Sequence, residues 1–274
     1  MKPVILILPA CFACVVGCSQ VLRKPVAMAY TGLGAYSLQH ADVFSFTANQ
    51  ASLATLKSTT AGVYGERRFL LAALSSYTAA AALPTSSGNF GLKAGYHGSG
   101  LYNETQLGLA YARGLGKRVD AGVQFNYNGI RMAGYGNASA ISFEAGAVLH
   151  LSDLLHAGIH VNNPVGGKFG KAQQEKLPAI YTAGIGYEAS ELFFISMEVV
   201  KEEDQPVTVN AGMQYTFLRV LLARAGVSTG VSSAWLGVGL LWKTFRLDVT
   251  ASYHPQLGIT PGLLLIFQAK PRQE

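Results

Sequence analysis

The sequence predicts an all-β fold: a transmembrane antiparallel β-barrel of about fourteen strands with an N-terminal plug. Half of the 274 residues are hydrophobic and only 13% are charged, whereas about a quarter of the residues in an average soluble domain are charged. From about residue 59 onward, apolar residues alternate with polar or small ones, which is the period of a strand with two different faces. The alternating segments are about ten residues or longer, the length that a tilted membrane strand needs.

The alternation is clearest between residues 119 and 128. Val123 and Phe125 fall on one face there, and Gln124 and Asn126 fall on the other. Alternation alone also fits a soluble β-sandwich, which has one face in a core and one in water. A membrane barrel is favoured because glycine, serine, asparagine and glutamine fill the polar faces, rather than lysine and glutamate.

Fourteen segments can be counted, an even number, as expected for a closed sheet that begins and ends on one side of a membrane. Short and long links alternate, which is typical of barrels with short periplasmic turns and longer external loops. The first two strand pairs depart from this alternation, with a tight link near Arg68 and a looser one from Pro84 to Gly88. By composition, residues 69–83 also fit a buried helix. The predicted segments are 59–67, 69–83, 88–98, 103–113, 117–130, 138–151, 154–163, 178–189, 191–202, 206–217, 219–228, 232–243, 245–254 and 258–268.

The start of the chain resembles a secretory signal peptide, predicted as residues 1–19. A charged beginning is followed by an apolar run from Val4 to Gly17, which is the pattern of such signals. Cys18 follows a small residue, as a lipobox cysteine does, and is a candidate for lipidation. The alternative is an ordinary signal that is cleaved later, near Ser19 or after residues 27–29. Export of this kind predicts the outer membrane of a Gram-negative bacterium, with outer-membrane lipid as a partner.

Several classes of chemistry are not predicted. All three cysteines lie within the first eighteen residues, so the rest of the chain cannot form disulfides or zinc–thiolate clusters. The net charge is +6, but no basic run exceeds two residues, which argues against a nucleic-acid partner. His156 and His160 share a strand face but would lie about 13 Å apart, too far to ligate one ion. The sequence therefore predicts no metal, no cofactor and no catalytic residue, and hence no enzyme.

Residues 20–58 do not alternate and are predicted to form a hatch in the lumen. The barrel would cover residues 59–268, followed by a C-terminal tail at 269–274. A glycine turn would precede a short helix capped by asparagine; the alternative is a flexible periplasmic leader. The candidate hatch residues are Gly32, Gly34, Asp42, Asn49, Gln50 and Leu53.

Charged residues of both signs fall on the predicted inward faces. They could line a polar or gated conduit. Alternatively, they could pair with one another across the lumen, because an unpaired buried charge is costly. The candidates are Lys93, Asp120, Glu144, Glu188, Glu198, Arg224, Arg246 and Asp248.

The N-terminal residues resemble the hatch of the long-chain fatty-acid transporter (FadL-like) family of outer-membrane barrels. That hatch typically has a glycine-rich turn, an aspartate and then Asn-Pro-Ala-x-Leu-Ala, and Gln50 stands here in place of the proline. Three further stretches are similar to landmarks of the PorV/PorQ branch, whose members serve type IX secretion. These stretches are Asn162-Asn163-Pro164, Arg224 to Val227 and Tyr253 to Gly258. The resemblance implies a fourteen-stranded barrel with an N-terminal hatch.

The resemblance and the loop lengths together suggest a function without catalysis. We expect a role in protein secretion or envelope assembly, with secretion-system or other envelope proteins as partners. The loop from Asn163 to Leu177 is the longest, at about fifteen residues, and is short for capturing a hydrophobic substrate. The alternative is a passive channel for hydrophobic small molecules such as fatty acids, and a third possibility is a purely structural barrel.

Overall fold

The computed structural model describes residues 28–169, 175–230 and 234–269. The predicted signal peptide, the candidate lipidation site Cys18 and nearly all of the predicted tail lie outside these ranges. Within them, no helix has the length and apolar character needed to cross a membrane.

Fourteen antiparallel strands of the described ranges close into one barrel. Each wall strand pairs with the next wall strand along the chain, and the first pairs with the last, with Thr60 opposite Gln268. The predicted closed antiparallel β-barrel and its strand count are confirmed. The strands are β1 (Thr60–Arg67), β2 (Ser75–Thr85), β3 (Gly88–Gly98), β4 (Tyr102–Gly114), β5 (Val119–Met132), β6 (Gly136–His150), β7 (Leu155–Asn162), β10 (Ile180–Ser190), β11 (Phe193–Glu202), β12 (Thr208–Phe217), β13 (Leu221–Ser228), β14 (Ala234–Trp242), β15 (Phe245–His254) and β16 (Gly258–Gln268), with β8 (Lys168–Phe169) and β9 (Glu175–Lys176) as a separate hairpin.

The wall has its polar face inside and its apolar face outside. In β5, Gln124 and Asn128 are fully buried, whereas Phe125 and Tyr127 are 63% and 51% exposed. A soluble sandwich would place these side chains the other way round, with the aromatic rings in its core. The arrangement suits a barrel whose outer surface contacts lipid.

The first link corrects the predicted strand boundaries. Residues 68–74 form two 3-10 turns rather than the start of the second strand, which begins at Ser75. Phe69 and Leu70 adopt positive φ angles of 52° and 62°, so the chain cannot continue as a strand there. The next link contains only residues 86 and 87. The first link is therefore long and the second tight, the reverse of the prediction, and the alternation of link lengths extends to the start of the barrel.

Residues 28–58, called the lumen segment below, precede β1. Tyr36 approaches Gly158 of β7 and Gly184 of β10, while Tyr30 faces Gly237 of β14. A segment that touches inward faces on several sides of the wall lies inside the barrel. Its action as a plug stays a prediction. Its helical parts are α1 (Met28–Thr31) and the 3-10 turns Leu33–Tyr36, Ser45–Thr47 and Gln50–Thr55.

Candidate functional site

The candidate site is the lumen, where Asn49 fastens the lumen segment to the wall. Its amide nitrogen donates to the backbone oxygens of Ile159 at 3.1 Å and Ala147 at 3.4 Å. Its side-chain oxygen accepts a hydrogen bond from the backbone nitrogen of Ala51 at 3.1 Å. This last contact is the N-cap of the turn Gln50–Thr55, so the short helical turn capped by asparagine is confirmed.

Gln50, which replaces the proline of the related motif, binds a buried carboxylate. Its Nε2 donates to Glu144 Oε2 at 2.6 Å. Glu144 is only 2% exposed, and it also accepts from Asn126 at 2.8 Å and lies 3.0 Å from His160 Nε2. Donors on several sides offset the cost of burying this charge. Gln50 therefore ties the lumen segment to β6.

The other end of the same turn is held by Asn89 of β3. Its amide nitrogen donates to the backbone oxygens of Leu53 at 2.7 Å and Leu56 at 2.8 Å. Carbonyl groups at the end of a helical turn lack a partner within the turn, and Asn89 satisfies them. The Leu53 side chain is fully buried against the wall.

A second attachment is a cluster of two carboxylates and two guanidinium groups. Asp42 of the lumen segment accepts hydrogen bonds from Arg224 at 3.1 Å and from Arg246 at 2.9 Å. Arg246 also forms an ion pair with Asp248, which in turn accepts from the Tyr30 hydroxyl at 2.7 Å. The formal charges balance, so the cluster can be buried without a net charge. We call these five residues the anchor cluster.

Tyr30 and Tyr36 act as neutral donors in the lumen. The Tyr36 hydroxyl donates to Glu198 Oε2 at 3.3 Å. Burial raises the pKa of both phenols well above the usual value of 10, and the nearby Glu198 carboxylate raises the pKa of Tyr36 further. Both groups therefore keep their protons, and their hydrogen bonds, at physiological pH.

Inward-facing glycines let the lumen segment approach the wall closely. A Cβ atom at Gly146 would collide with the side chain of Asn49, and one at Gly122 would lie 2.6 Å from the backbone of Gln50. Within the lumen segment, a Cβ at Gly34 would collide with the carbonyl of His40. Gly32 precedes the turn Leu33–Tyr36 with an ordinary φ of −84°. Gly34, Gly122 and Gly146 are thus needed because no room is left for a side chain at these positions.

Two cavities lie at opposite ends of the lumen, and they share no lining residue. The first, of about 110 Å³, lies at the end with the longer links and is lined by Phe44, Tyr64 and polar side chains that include Lys93. The second, of about 330 Å³, lies at the end with the tight turns and is lined by Asp42 and Arg246 among others. The lumen segment contributes residues to both.

The structure places all eight predicted inward charges on the lumen side of the wall. Arg224, Arg246 and Asp248 meet in the anchor cluster, as described above. Glu198 holds Tyr36, Lys93 lines the first cavity, and Asp120 and Glu188 bind histidines. Their functional roles stay predictions.

Sequence reasoning did not single out Tyr30, Tyr36 or Asn89. Each lies outside a recognisable motif, and each is paired with a residue far along the chain. For the two tyrosines, the available signal was the aromatic character of a segment that does not alternate.

In the described part of the chain, no group of three or more histidine, cysteine or acidic side chains is placed to hold a metal ion. His156 and His160 have separate carboxylate partners, Glu188 and Glu144. They do not form a common site.

Three solved structures show what this architecture is similar to. The CymD monoaromatic hydrocarbon channel is 13% identical, covers 93% of this chain and all of its own, and has a TM-score of 0.62. The barrel shares its fold with hydrocarbon channels. The toluene transporters TodX of Pseudomonas putida (9% identity, TM-score 0.63) and TbuX of Ralstonia pickettii (10% identity, TM-score 0.60) cover 87% and 84% of this chain and 97% and 94% of their own.

At these identities the likeness concerns the fold. No protein-family model matches the sequence, and no curated protein matches it. The predicted PorV/PorQ branch is not among these structural relatives and stays a prediction.

Proposed function

We propose that the protein is a passive outer-membrane channel for small molecules with an apolar body. The observation that carries this proposal is the pair of cavities at opposite ends of the lumen. A cavity of about 110 Å³ approaches the roughly 150 Å³ that holds benzene in an engineered protein core. The relatives of the same fold, which are named as channels and transporters of monoaromatic compounds and toluene, support the same class of substrate.

The apolar outer face supports the membrane location. Side chains such as Phe125, Ile141, Ile159 and Leu236 project outward and are more than half exposed. Exposure of this much apolar surface is unfavourable in water and favourable in a lipid bilayer. The outer membrane is the bilayer in which closed barrels of this kind occur.

The path through the channel is proposed to begin at the first cavity. Phe44 and Tyr64 supply its aromatic surface. Thr78 and Gly95, from β2 and β3, line this cavity and also a groove on the outer surface of the barrel. Thr78 and Gly95 are paired opposite each other in the closed wall, so the proposed exit is a local separation of these two strands, which would not require movement of the whole lumen segment.

A role in secretion or envelope assembly, the interpretation first favoured by the sequence, is the second candidate. The three sequence stretches that suggested this role make contacts within the barrel itself. Asn163 donates to the carbonyl of Leu177 at 2.6 Å and accepts from Gly167 at 2.9 Å, which organises its loop. Arg224 holds Asp42, and His254 caps the turn that follows it. Because these residues have local functions, the motifs do not require a secretion partner, and the channel is favoured.

The test is uptake by cells of a Gram-negative host that lacks its own hydrocarbon channel. Radiolabelled toluene and a radiolabelled long-chain fatty acid serve as the two probes. Gly95→Phe would fill part of the first cavity, and its Cβ would make only ordinary van der Waals contact, with the nearest atom 3.7 Å away. Ile159→Phe, on the exposed outer face, is the matched control.

We expect uptake of at least one probe above the empty-vector strain, a loss of that uptake in Gly95→Phe and no change in Ile159→Phe. No uptake of either probe by the wild-type protein, at verified outer-membrane levels, would reject the channel. Deletion in the native host would then distinguish a secretion defect from a purely structural barrel.

A further inference from the structure

A row of four side chains, one from each of four neighbouring wall strands, lies at the end of the barrel with the tight turns. Asp120 of β5 lies 2.9 Å from Nε2 of His150 in β6. The Nδ1 atoms of His150 and His156 are 3.0 Å apart, with the rings nearly perpendicular. His156 Nε2 lies 3.6 Å from Oε2 of Glu188 in β10. We call these residues the histidine relay.

The number of protons in the relay follows from these contacts. An imidazole nitrogen 2.9 or 3.0 Å from an acceptor needs a proton between the two atoms, which places one proton between Asp120 and His150 and one between the two rings. His156 Nε2 and Glu188 Oε2 are buried and have no hydrogen-bond partner. Without a proton on Nε2, two lone pairs would face each other in a buried site. A third proton makes this contact an ion pair.

Two neutral imidazoles carry two ring protons in total, so the relay holds one proton more than two neutral rings. That extra proton gives one imidazolium between two carboxylates. The positive charge sits beside Glu188, which is otherwise a fully buried anion.

Glu188 connects the relay to the lumen segment. Its Oε1 accepts from the backbone nitrogen of Leu38 at 2.6 Å and of Gln39 at 3.0 Å, and from the Ser37 hydroxyl. One carboxylate oxygen thus holds the turn at residues 37–39, and the other faces His156.

We propose that the extra proton of the histidine relay fastens the turn at residues 37–39 to the barrel wall, so that the turn loosens when the relay loses this proton as pH rises. The proton supplies the counter-charge that keeps Glu188 ionised while buried. When it leaves, the His156 lone pair and the carboxylate repel each other, and Glu188 becomes an uncompensated buried anion.

His40 is another titratable group beside this turn. Its Nε2 lies 3.3 Å from the carbonyl of Ser190 and its Nδ1 2.9 Å from the amide nitrogen of Gln214, which fits a neutral ring that donates at one side and accepts at the other. Burial lowers the pKa of His40 below its usual value of 6.5. His40 is therefore already neutral in the range where rising pH would act on the relay.

The proton count is tested directly by ¹⁵N NMR of histidine-labelled full-length protein in detergent with EDTA, because ring nitrogens with and without protons differ in chemical shift. His150→Gln and His156→Gln assign the signals. We expect three of the four ring nitrogens of the pair to carry protons at neutral pH. Two protonated nitrogens, one per ring, would overturn the proposal. A shift of the Nδ1 signals on addition of Zn²⁺ at stoichiometric amounts would identify the pair as a metal site instead and would also overturn it.

Fastening of the turn is tested by hydrogen–deuterium exchange of the peptide containing Leu38 and Gln39, corrected for the intrinsic effect of pH. Protection should be lower at alkaline pH than at acidic pH in the wild-type protein. His156→Gln should make it independent of pH, because an amide can donate to Glu188 without titrating. His160→Gln, which alters the separate pair with Glu144, should leave the pH dependence intact. Protection that does not change with pH in the wild type would overturn the proposal.

If His156→Gln disturbs the fold, Asp120→Asn offers a second variant at the other end of the relay, and it should shift the pH range of the loss. Neither measurement depends on transport. A failure of the proposed channel therefore leaves the relay testable, and a failure of the relay leaves the channel untouched.

Discussion

Arg224 Nη2 lies 3.1 Å from Asp42 Oδ2, and this contact joins β13 to the lumen segment across 182 positions of the chain. Arg224 is 2% exposed and also donates to Gln214 at 2.8 Å and to the backbone oxygen of Tyr30 at 3.1 Å. A fully buried guanidinium with this many acceptors has a defined position. The ion pair therefore fixes where the lumen segment lies.

Arg224→Met should destabilise the folded barrel strongly. Removing one partner of a buried ion pair typically costs about 3–5 kcal/mol, because the other charge stays buried without compensation. Here Arg246 still contacts Asp42, which places the expected loss at the lower end. The measurement is the temperature at which the protein loses its heat-modifiable mobility on a gel. The control is Arg219→Met, which breaks an ion pair with Glu191 whose side chains are 80% and 73% exposed, and which should have almost no effect.

Gln50→Ala should weaken the attachment of the lumen segment to β6. It removes the 2.6 Å hydrogen bond to Glu144, and a hydrogen bond to a charged group contributes about 1.5–3 kcal/mol. A double-mutant cycle with Glu144→Gln, using denaturant unfolding in detergent, measures the coupling. Additive effects of the two substitutions would contradict a direct interaction.

Gly146→Ala should displace Asn49 and expose the lumen segment to protease. The added Cβ would collide with the Asn49 side chain, which cannot move without losing its hydrogen bonds to the wall. Gly95→Ala is the matched control on the same inward face, because its Cβ would meet nothing closer than 3.7 Å. Limited proteolysis should cut the first variant within residues 28–58 and leave the second intact. Equal resistance of the two would contradict the close contact.

His40 should make the fold less stable as pH falls below about 6.5. Its pKa is lowered by burial, so the unfolded chain binds a proton that the folded chain resists, and stability present above pH 6.5 is lost on acidification. Unfolding midpoints of the wild type and of His40→Gln, measured between pH 7 and pH 5, test this. The wild type should lose more stability over that range than the variant does. The same slope in both proteins would show that His40 is not responsible.

The sequence alone determined which side chains of the wall face the lumen and which face the lipid. A period of two residues assigns each side chain of a strand to one face or the other, and a shortage of charge indicates which face meets lipid. This reasoning places Gln124 and Phe125 correctly and finds fourteen strands within a few residues of their bounds. It also finds the Asn49 cap, because a cap depends on neighbouring residues. It failed at residues 68–74, where the apolar composition is compatible with a strand and the positive φ angles of Phe69 and Leu70 are not visible.

Only the tertiary structure decided which lumen residues meet. Asp42 and Arg224, Gln50 and Glu144, and Glu188 and the turn at residues 37–39 are each brought together from distant parts of the chain. Closure of the barrel sets the distance across the lumen, and local patterns contain no information on that distance. The sequence could thus predict that Glu144 and Arg224 point inward, but the choice between an open conduit and paired charges depended on how the lumen segment fills the space inside the barrel.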